Sequence, residues 1–171
     1  MKQFKLTIII PAYNEISTIQ SLINKVYEIN IDKQIIVVDD CSSDGTNEIL
    51  LKNENKINKI IIHKKNKGKG AAIKSAQKYV EGEYVIIQDA DLEYDPKDIL
   101  SLLNEIEKKN CQAVYGSRVL RNPENIKSQN FSHNLRIVGN IFLTKLSKFI
   151  NKQKLTDAHT CYKLFKSDLF K

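Results

Sequence analysis

Asp89 and Asp91 flank Ala90 in the stretch Tyr84–Pro96, YVIIQDADLEYDP. Two carboxylates so close repel each other unless a proton or a cation lies between them. Tyr84, Val85, Ile86 and Ile87 form a short apolar run of the kind found in a strand buried on both faces. At strand spacing, residues two apart point to the same side, so both carboxylates aim at one place, and Ala90 leaves room for something to approach. A hard divalent ion with oxygen ligands, Mg2+ or Mn2+, suits this pair and keeps open positions for phosphate oxygens. Glu93 is the candidate third ligand. The alternative is a solvated acidic turn capping the helix that starts near Pro96, and Asp-x-Asp alone does not decide between the two.

The elements that must position these acids read in order. Leu6–Ile10 is a buried strand that Pro11 ends, and Pro11–Glu15 is a loop. Ile16, Ile19, Leu22, Ile23 and Val26 then recur at helical spacing. Gln34–Val38 is a second strand ending in Asp39 and Asp40. Ser43, Asp44 or Thr46 supplies the N-cap of a helix over Asn47–Lys52. Lys59–His63 is a third strand, Asn66–Gly70 a basic loop, and Ala71–Val80 an alanine-rich helix with Ile73, Ala76 and Tyr79 on one face. After the Tyr84–Ile87 strand, Asp95-Pro96 opens a helix that buries Ile99, Leu102, Leu103 and Ile106. Ala113–Gly116 is a further strand, followed by Ser117 and Arg118. Phe131–Ile150 reads as one long helix covering the sheet.

Alternating strands and helices predict an α/β fold: a mostly parallel sheet with helices on both faces, in one domain over residues 1–171. Such sheets bind ligands at the carboxyl ends of their strands. Each of those ends is polar here, at Tyr13 to Glu15, Asp39 and Asp40, Asn66 to Gly70, Asp89 and Asp91, and Ser117 and Arg118.

Composition bounds the function. The 171 residues are 42% hydrophobic, enough for a real core. Lys and Arg number 27 against 20 Asp and Glu, a net charge of +7 that favours an anionic partner. Much of that excess is lysine scattered through an Asn-, Ile- and Lys-rich sequence. No nucleic-acid motif with interleaved aromatics occurs, so nucleic acid is not an expected partner. Cys41, Cys111 and Cys161 stand far apart, as reduced cytosolic thiols do. No signal-peptide core and no run of about 18 apolar residues is present, so nothing is expected to span a membrane. His63 and His133 have no partner visible in sequence and are expected to be structural or exposed. Asp157, His159 and Cys161 alternate, yet one local cluster without a partner segment is poor evidence for zinc.

IIIPAYNE (8–15), VVDDCSSDGT (37–46), NKGKGAA (66–72), QDADLEYDP (88–96), GSR (116–118) and TDAHTCYK (156–163) together resemble glycosyltransferase family 2. In appearance they are similar to its dolichyl- or polyprenyl-phosphate sugar synthases. The resemblance implies a GT-A fold, a UDP- or GDP-linked sugar donor, a divalent metal and inversion at the anomeric carbon. It implies that Pro11, Tyr13 and Glu15 surround the nucleotide, with Tyr13 on base or ribose and Glu15 on a ribose hydroxyl. Asp40 matches the position that reads the base, with Asp39 beside it. Lys67 and Gly68 belong to a loop that lets phosphate approach. Asp89 and Asp91 match the metal motif, and Glu93 stands where lipid-phosphate sugar synthases often have Gln.

The acceptor divides the possibilities. A lipid phosphate is already an anion and needs cations to hold it in line, a task that Arg118 and Arg136 fit. A saccharide hydroxyl needs a general base, for which Asp157 is the candidate. The first implies a cytoplasmic protein peripheral at the inner membrane face; the second, cell-surface polysaccharide assembly. A nucleotidyltransferase would show a glycine-rich basic first loop, which Pro11–Glu15 is not. A non-catalytic nucleotide-binding module is the remaining reading. Lipid-phosphate members continue for several more elements, so the resemblance implies a domain either shortened at Lys171 or continued beyond it.

Overall fold

Phe4–Ala12 forms the central strand β1, with Leu6, Ile8, Ile9 and Ile10 fully buried. The structure, a computed structural model, describes residues 3–117, 157 and 160–170. They fall into two units, Met1–Val114 with Leu164–Lys171, and Tyr115–Lys163. In chain order the described elements are β1, α1 (Ile19–Glu28), β2 (Lys33–Asp39), α2 (Thr46–Lys52), β3 (Lys59–Ile62), α3 (Lys69–Gln77), β4 (Gly82–Ile87), α4 (Asp98–Lys109), β5 (Ala113–Tyr115), β6 (Lys163–Lys166) and α5 (Ser167–Phe170). The long helix expected over Phe131–Ile150 lies outside the described residues.

The sheet runs β3-β2-β1-β4-β6-β5. β1 pairs in parallel with both β2 and β4, and β2 with β3, as the alternating pattern predicts. Side-chain alternation sends Ile9, Ile36, Val38 and Val85 to one face, where Ala72 and Ala76 of α3 complete a buried cluster with Val80. Leu6, Ile8, Ile10, Ile35 and Val37 belong to the other face and are equally buried. That two-sided burial makes these strands read as continuous apolar runs.

Several boundaries differ from expectation. Pro11 does not end β1 but pairs with Val38 inside it. Backbone groups of successive residues face opposite neighbours. The Ile9 carbonyl accepts from Gln88 N–H and the Ala12 carbonyl from Asp40 N–H, so Pro11 faces the β4 side, where β4 has already ended. Its missing N–H therefore costs no ladder bond. Ile16 lies before α1 and is exposed. Gly45, which has no side-chain acceptor, stands at the N-cap of α2. The antiparallel strand β6, which places Leu164 beside Ile86 and Phe165 beside Val85, was not expected.

At the amino ends of the strands a buried polar network locks β1, β2 and the approach to β4. The Thr7 hydroxyl donates to Gln34 Oε1 at 2.7 Å and accepts from Gly82 N–H at 2.9 Å. Gln34 also accepts from Glu81 N–H and donates to the Tyr79 carbonyl. A Cβ at position 82 would stand 2.5 Å from Thr7 N and 2.7 Å from Thr7 Oγ1, so only glycine fits. Gly82→Ala is expected to lower stability by about 1–3 kcal/mol through overpacking, read as a lower urea midpoint. Gly70→Ala, inside α3 where the added Cβ meets no other part of the fold within 4 Å, is the control and should hold or slightly raise the midpoint.

Candidate active site

A cleft of about 220 Å3 opens at the carboxyl ends of β1, β2 and β4. The ladder register sets its walls. Ala12 lies beside Asp39 and Ile9 beside Ile87, so the residues that follow each strand emerge together. Pro11, Ala12, Tyr13, Glu15 and Asp40 line one side, and Lys69, Asp89, Ala90 and Asp91 are among the others. Tyr13 is half exposed, its ring available for stacking.

Two loops that bear on the Tyr13 side are laced together by side chains. Asn14 N–H donates to Ser42 Oγ at 2.9 Å, and Asn14 Oδ1 accepts from Ser43 N–H at 2.9 Å. Glu15 N–H donates to Thr46 Oγ1 at 2.9 Å and Ile16 N–H to Asp44 Oδ2 at 3.0 Å. Asp44 Oδ1 takes the Thr46 hydroxyl at 2.6 Å. Burial pushes the Asp44 carboxyl up, but the donors Thr46 and Ile16 outweigh it and hold it below the ordinary value. The Glu15 carboxylate accepts from the Thr18 hydroxyl at 2.8 Å.

The Asp40 carboxylate is buried and organises the facing loop. Its Oδ1 accepts from His63 Nδ1 at 2.6 Å, its Oδ2 from Gly68 N–H at 2.6 Å, and Lys67 N–H lies 3.0 Å from both oxygens. Burial favours the neutral acid, yet the His63 bond and the two backbone N–H groups together hold this carboxyl below its ordinary value. A carboxylate has about four acceptor positions, and these contacts, two on each oxygen with Lys67 N–H shared between them, engage all four. Gly68 sits at φ 84°, a left-handed backbone that glycine adopts without steric cost.

Asp89 and Asp91 are brought to the same cleft, though not by strand continuation. β4 stops at Ile87, and both acids stand in the loop beyond it. Leu92 has φ 62°, and Glu93 N–H donates to Asp91 Oδ1 at 3.0 Å. The Lys69 ammonium lies 2.5 Å from Asp89 Oδ1, so this position already draws positive charge. Two carboxylates with room beside them fit Mg2+ or Mn2+, which take one or two protein carboxylates and complete their shell with water or phosphate oxygens. Among the described residues, no three His, Cys, Asp or Glu side chains gather as a preformed metal cluster, so Glu93 does not join the pair in one.

Asp39 is buried, and its Oδ1 accepts from the N–H and hydroxyl of Ser42, which holds the turn after β2. Lys67 and Gly68 contribute their backbone to Asp40. Arg118 and Arg136 lie outside the described residues, as do His133 and His159. Asp157 is buried. His63 is buried with both ring nitrogens engaged, a partner set that no sequence spacing displayed.

The profile of Glycosyl transferase family 2 matches residues 7–171. A UDP-N-acetylglucosamine--dolichyl-phosphate N-acetylglucosaminyltransferase of Methanococcus voltae is 31% identical over 96% of this chain and 70% of its own length. Three further curated relatives are covered over 50%, 38% and 53% of their lengths. The chain thus spans about half the length of most curated relatives it matches. Among solved structures, a mannosyltransferase of Pyrobaculum calidifontis in complex with GDP-Man and Mn2+ is 22% identical, with a TM-score of 0.66 over 97% of this chain and 45% of that one. The glucosyl-3-phosphoglycerate synthase of Mycobacterium tuberculosis, in complex with Mn2+, UDP and glucosyl-3-phosphoglycerate, is 16% identical, with a TM-score of 0.71 over 98% of this chain and 58% of that one. At these identities the structures show the fold alone, and that fold is GT-A-like.

Asp40 makes stability depend on pH in a defined direction. Its folded pKa lies below the ordinary 3.8, so the stabilisation is complete above that value and is lost as pH falls through the depressed one. Asp40→Asn should lower stability at neutral pH by about 1–3 kcal/mol, the cost of spoiling buried hydrogen bonds. The gap between the two melting temperatures should narrow as pH drops below 3.8.

Proposed function

The chain belongs to glycosyl transferase family 2, and from that membership we propose that it transfers a sugar from a nucleotide-sugar donor, with inversion, to a polyprenyl-type phosphate. The observation that carries this reading is the meeting of Tyr13, Glu15 and Asp40 with Asp89 and Asp91 in one cleft. A nucleoside diphosphate needs those two chemistries side by side. Tyr13 offers a ring face to base or ribose, Glu15 an acceptor for a ribose hydroxyl, and Asp40, at the cleft wall, is the residue proposed to read the base.

Asp89 and Asp91 would hold Mg2+ or Mn2+, and Glu93, which forms no preformed cluster with them, is the candidate to complete the set. The ion, when bound, neutralises charge developing on the departing diphosphate. The cleft lining carries four carboxylates, Glu15, Asp40, Asp89 and Asp91, against one ammonium, Lys69. A diphosphate entering such a site is repelled unless cations accompany it. The N-terminus of α3, beginning at Lys69, adds partial positive charge on the same side.

The acceptor assignment is drawn from the dolichyl-phosphate relative and from chemistry. A phosphate monoester attacks as an anion and needs no base, only cations that hold it in line with the leaving group. Arg118 and Arg136 are proposed for that docking. A saccharide hydroxyl is the second acceptor, for which Asp157, a buried carboxylate, is the proposed general base. No helix among the described residues is long and apolar enough to cross a membrane, and attachment at the inner membrane face is the proposed arrangement for a lipid acceptor.

Calorimetry with UDP and GDP, with and without Mn2+, tests the donor site. One nucleotide should bind with Mn2+ dependence, and Asp91→Ala should weaken it about 10–100-fold, as loss of a metal ligand or its support does. Binding of neither nucleotide would favour a non-catalytic module. Sugar transfer to a short polyprenyl phosphate then separates the acceptors. Arg118→Ala should lower that turnover at least about tenfold, the loss of one charge-assisted contact, and unchanged turnover would remove Arg118 from the acceptor site.

A further inference from the structure

His63 is the last buried residue before a fully exposed run, residues 64–70, that leads from β3 into α3. Its backbone N–H donates to the Asp39 carbonyl at 2.8 Å, which extends the ladder by one residue past β3. Its ring is held at both ends. Nδ1 lies 2.6 Å from Asp40 Oδ1, and Nε2 lies 2.9 Å from Ser75 Oγ on α3. A carboxylate only accepts, so Nδ1 carries the proton, and in the neutral ring Nε2 accepts from the Ser75 hydroxyl. Every polar atom of this chain of three is then satisfied, and the order Asp40, His63, Ser75 runs from cleft to helix.

We propose that His63, braced by Ser75, is a positioning residue for the donor cleft: it fixes the Asp40 carboxylate so that it holds the Lys67 and Gly68 amides, and with them the loop that delivers Lys69 to the cleft. The geometry gives the reason. A carboxylate rotates freely about its last bond unless something directs it. Lys67 and Gly68 cannot direct Asp40, because they sit in an exposed loop that Asp40 itself holds. The fixed points are the sheet and α3, and His63 is bonded to both. It directs the carboxylate as the partner of a metal-bound histidine directs the imidazole, by holding the far end of a short chain of hydrogen bonds. Its link to ligand binding rests on the donor-site reading above, while its hold on the loop does not.

Two measurements keep these parts separate. The first is amide hydrogen exchange at residues 63–70, with β1 and β4 as internal references. The second is the calorimetric Kd of UDP or GDP with Mn2+, whichever binds the unaltered protein. His63→Leu keeps bulk and removes both bonds; local exchange should rise and Kd weaken, each about tenfold, the cost of one buried acceptor left unmet. His63→Asn places an amide donor near the position of Nδ1 and should restore most of both. Ser75→Ala should show a smaller change of the same kind, about threefold.

Unchanged exchange and unchanged Kd in His63→Leu would overturn the proposal. So would faster exchange in β1 and β4 to the same degree without rescue by His63→Asn, since that is a general loss of stability. If His63→Leu does not fold, Ser75→Ala decides, with local acceleration upholding the proposal and values equal to the unaltered protein overturning it. If the unaltered protein binds neither nucleotide, the donor-site reading and the link to it fall together, and the exchange data still judge the hold on the loop.

Discussion

The parallel register between β1 and its two neighbours is the constraint on which the cleft depends. Ala12 opposite Asp39 and Ile9 opposite Ile87 bring the loop after β1, Asp40 after β2 and the acid pair after β4 to one rim. A slip of one residue would exchange the two faces of a strand, and both faces of β1 are packed. The apolar strands therefore fix the polar site without contributing a polar atom to it. The Thr7, Gln34 and Gly82 network secures the same register from the opposite end, through bonds that shifted strands could not make.

Much of this was legible because period and burial agree. The buried set of α4, Ile99, Leu102, Leu103 and Ile106, is the set its spacing predicts. The central strands declared themselves as β-branched runs, and their polar carboxyl ends pointed to the cleft. What escaped has physical reasons. Pro11 looks like a terminator until one knows which neighbour its nitrogen faces. β6 is four residues long, with one buried side chain, and its antiparallel pairing with β4 is a long-range fact that no local pattern carries. Asp89 and Asp91 both line the cleft, but through a loop with a left-handed residue at 92 and not through strand alternation. Asp39 and Asp40 look alike in sequence, yet one holds a turn and the other a loop and a histidine. That division follows from Asp39 being the last residue of β2 and Asp40 the first beyond it.

Charge is distributed against the average. The chain carries a net +7, yet the cleft lining is acidic apart from Lys69. Net charge describes the surface as a whole and acts at distances set by screening. The site is governed by neighbours a few ångströms apart, where Lys69 against Asp89 and His63 against Asp40 outweigh the scattered lysines. The net charge favours an anion at a distance, while the lining that it would reach is acidic.

The side-chain stitching of Asn14, Glu15 and Ile16 to Ser42, Asp44 and Thr46 has a thermodynamic corollary. Loops that close around a ligand give up their freedom at that moment, and calorimetry records it as an entropic penalty with an enlarged heat-capacity change. Here the wall beside Tyr13 surrenders that freedom when the chain folds. Ligand capture on this side is a rigid docking, whose heat capacity reflects the surface covered and not the ordering of the wall.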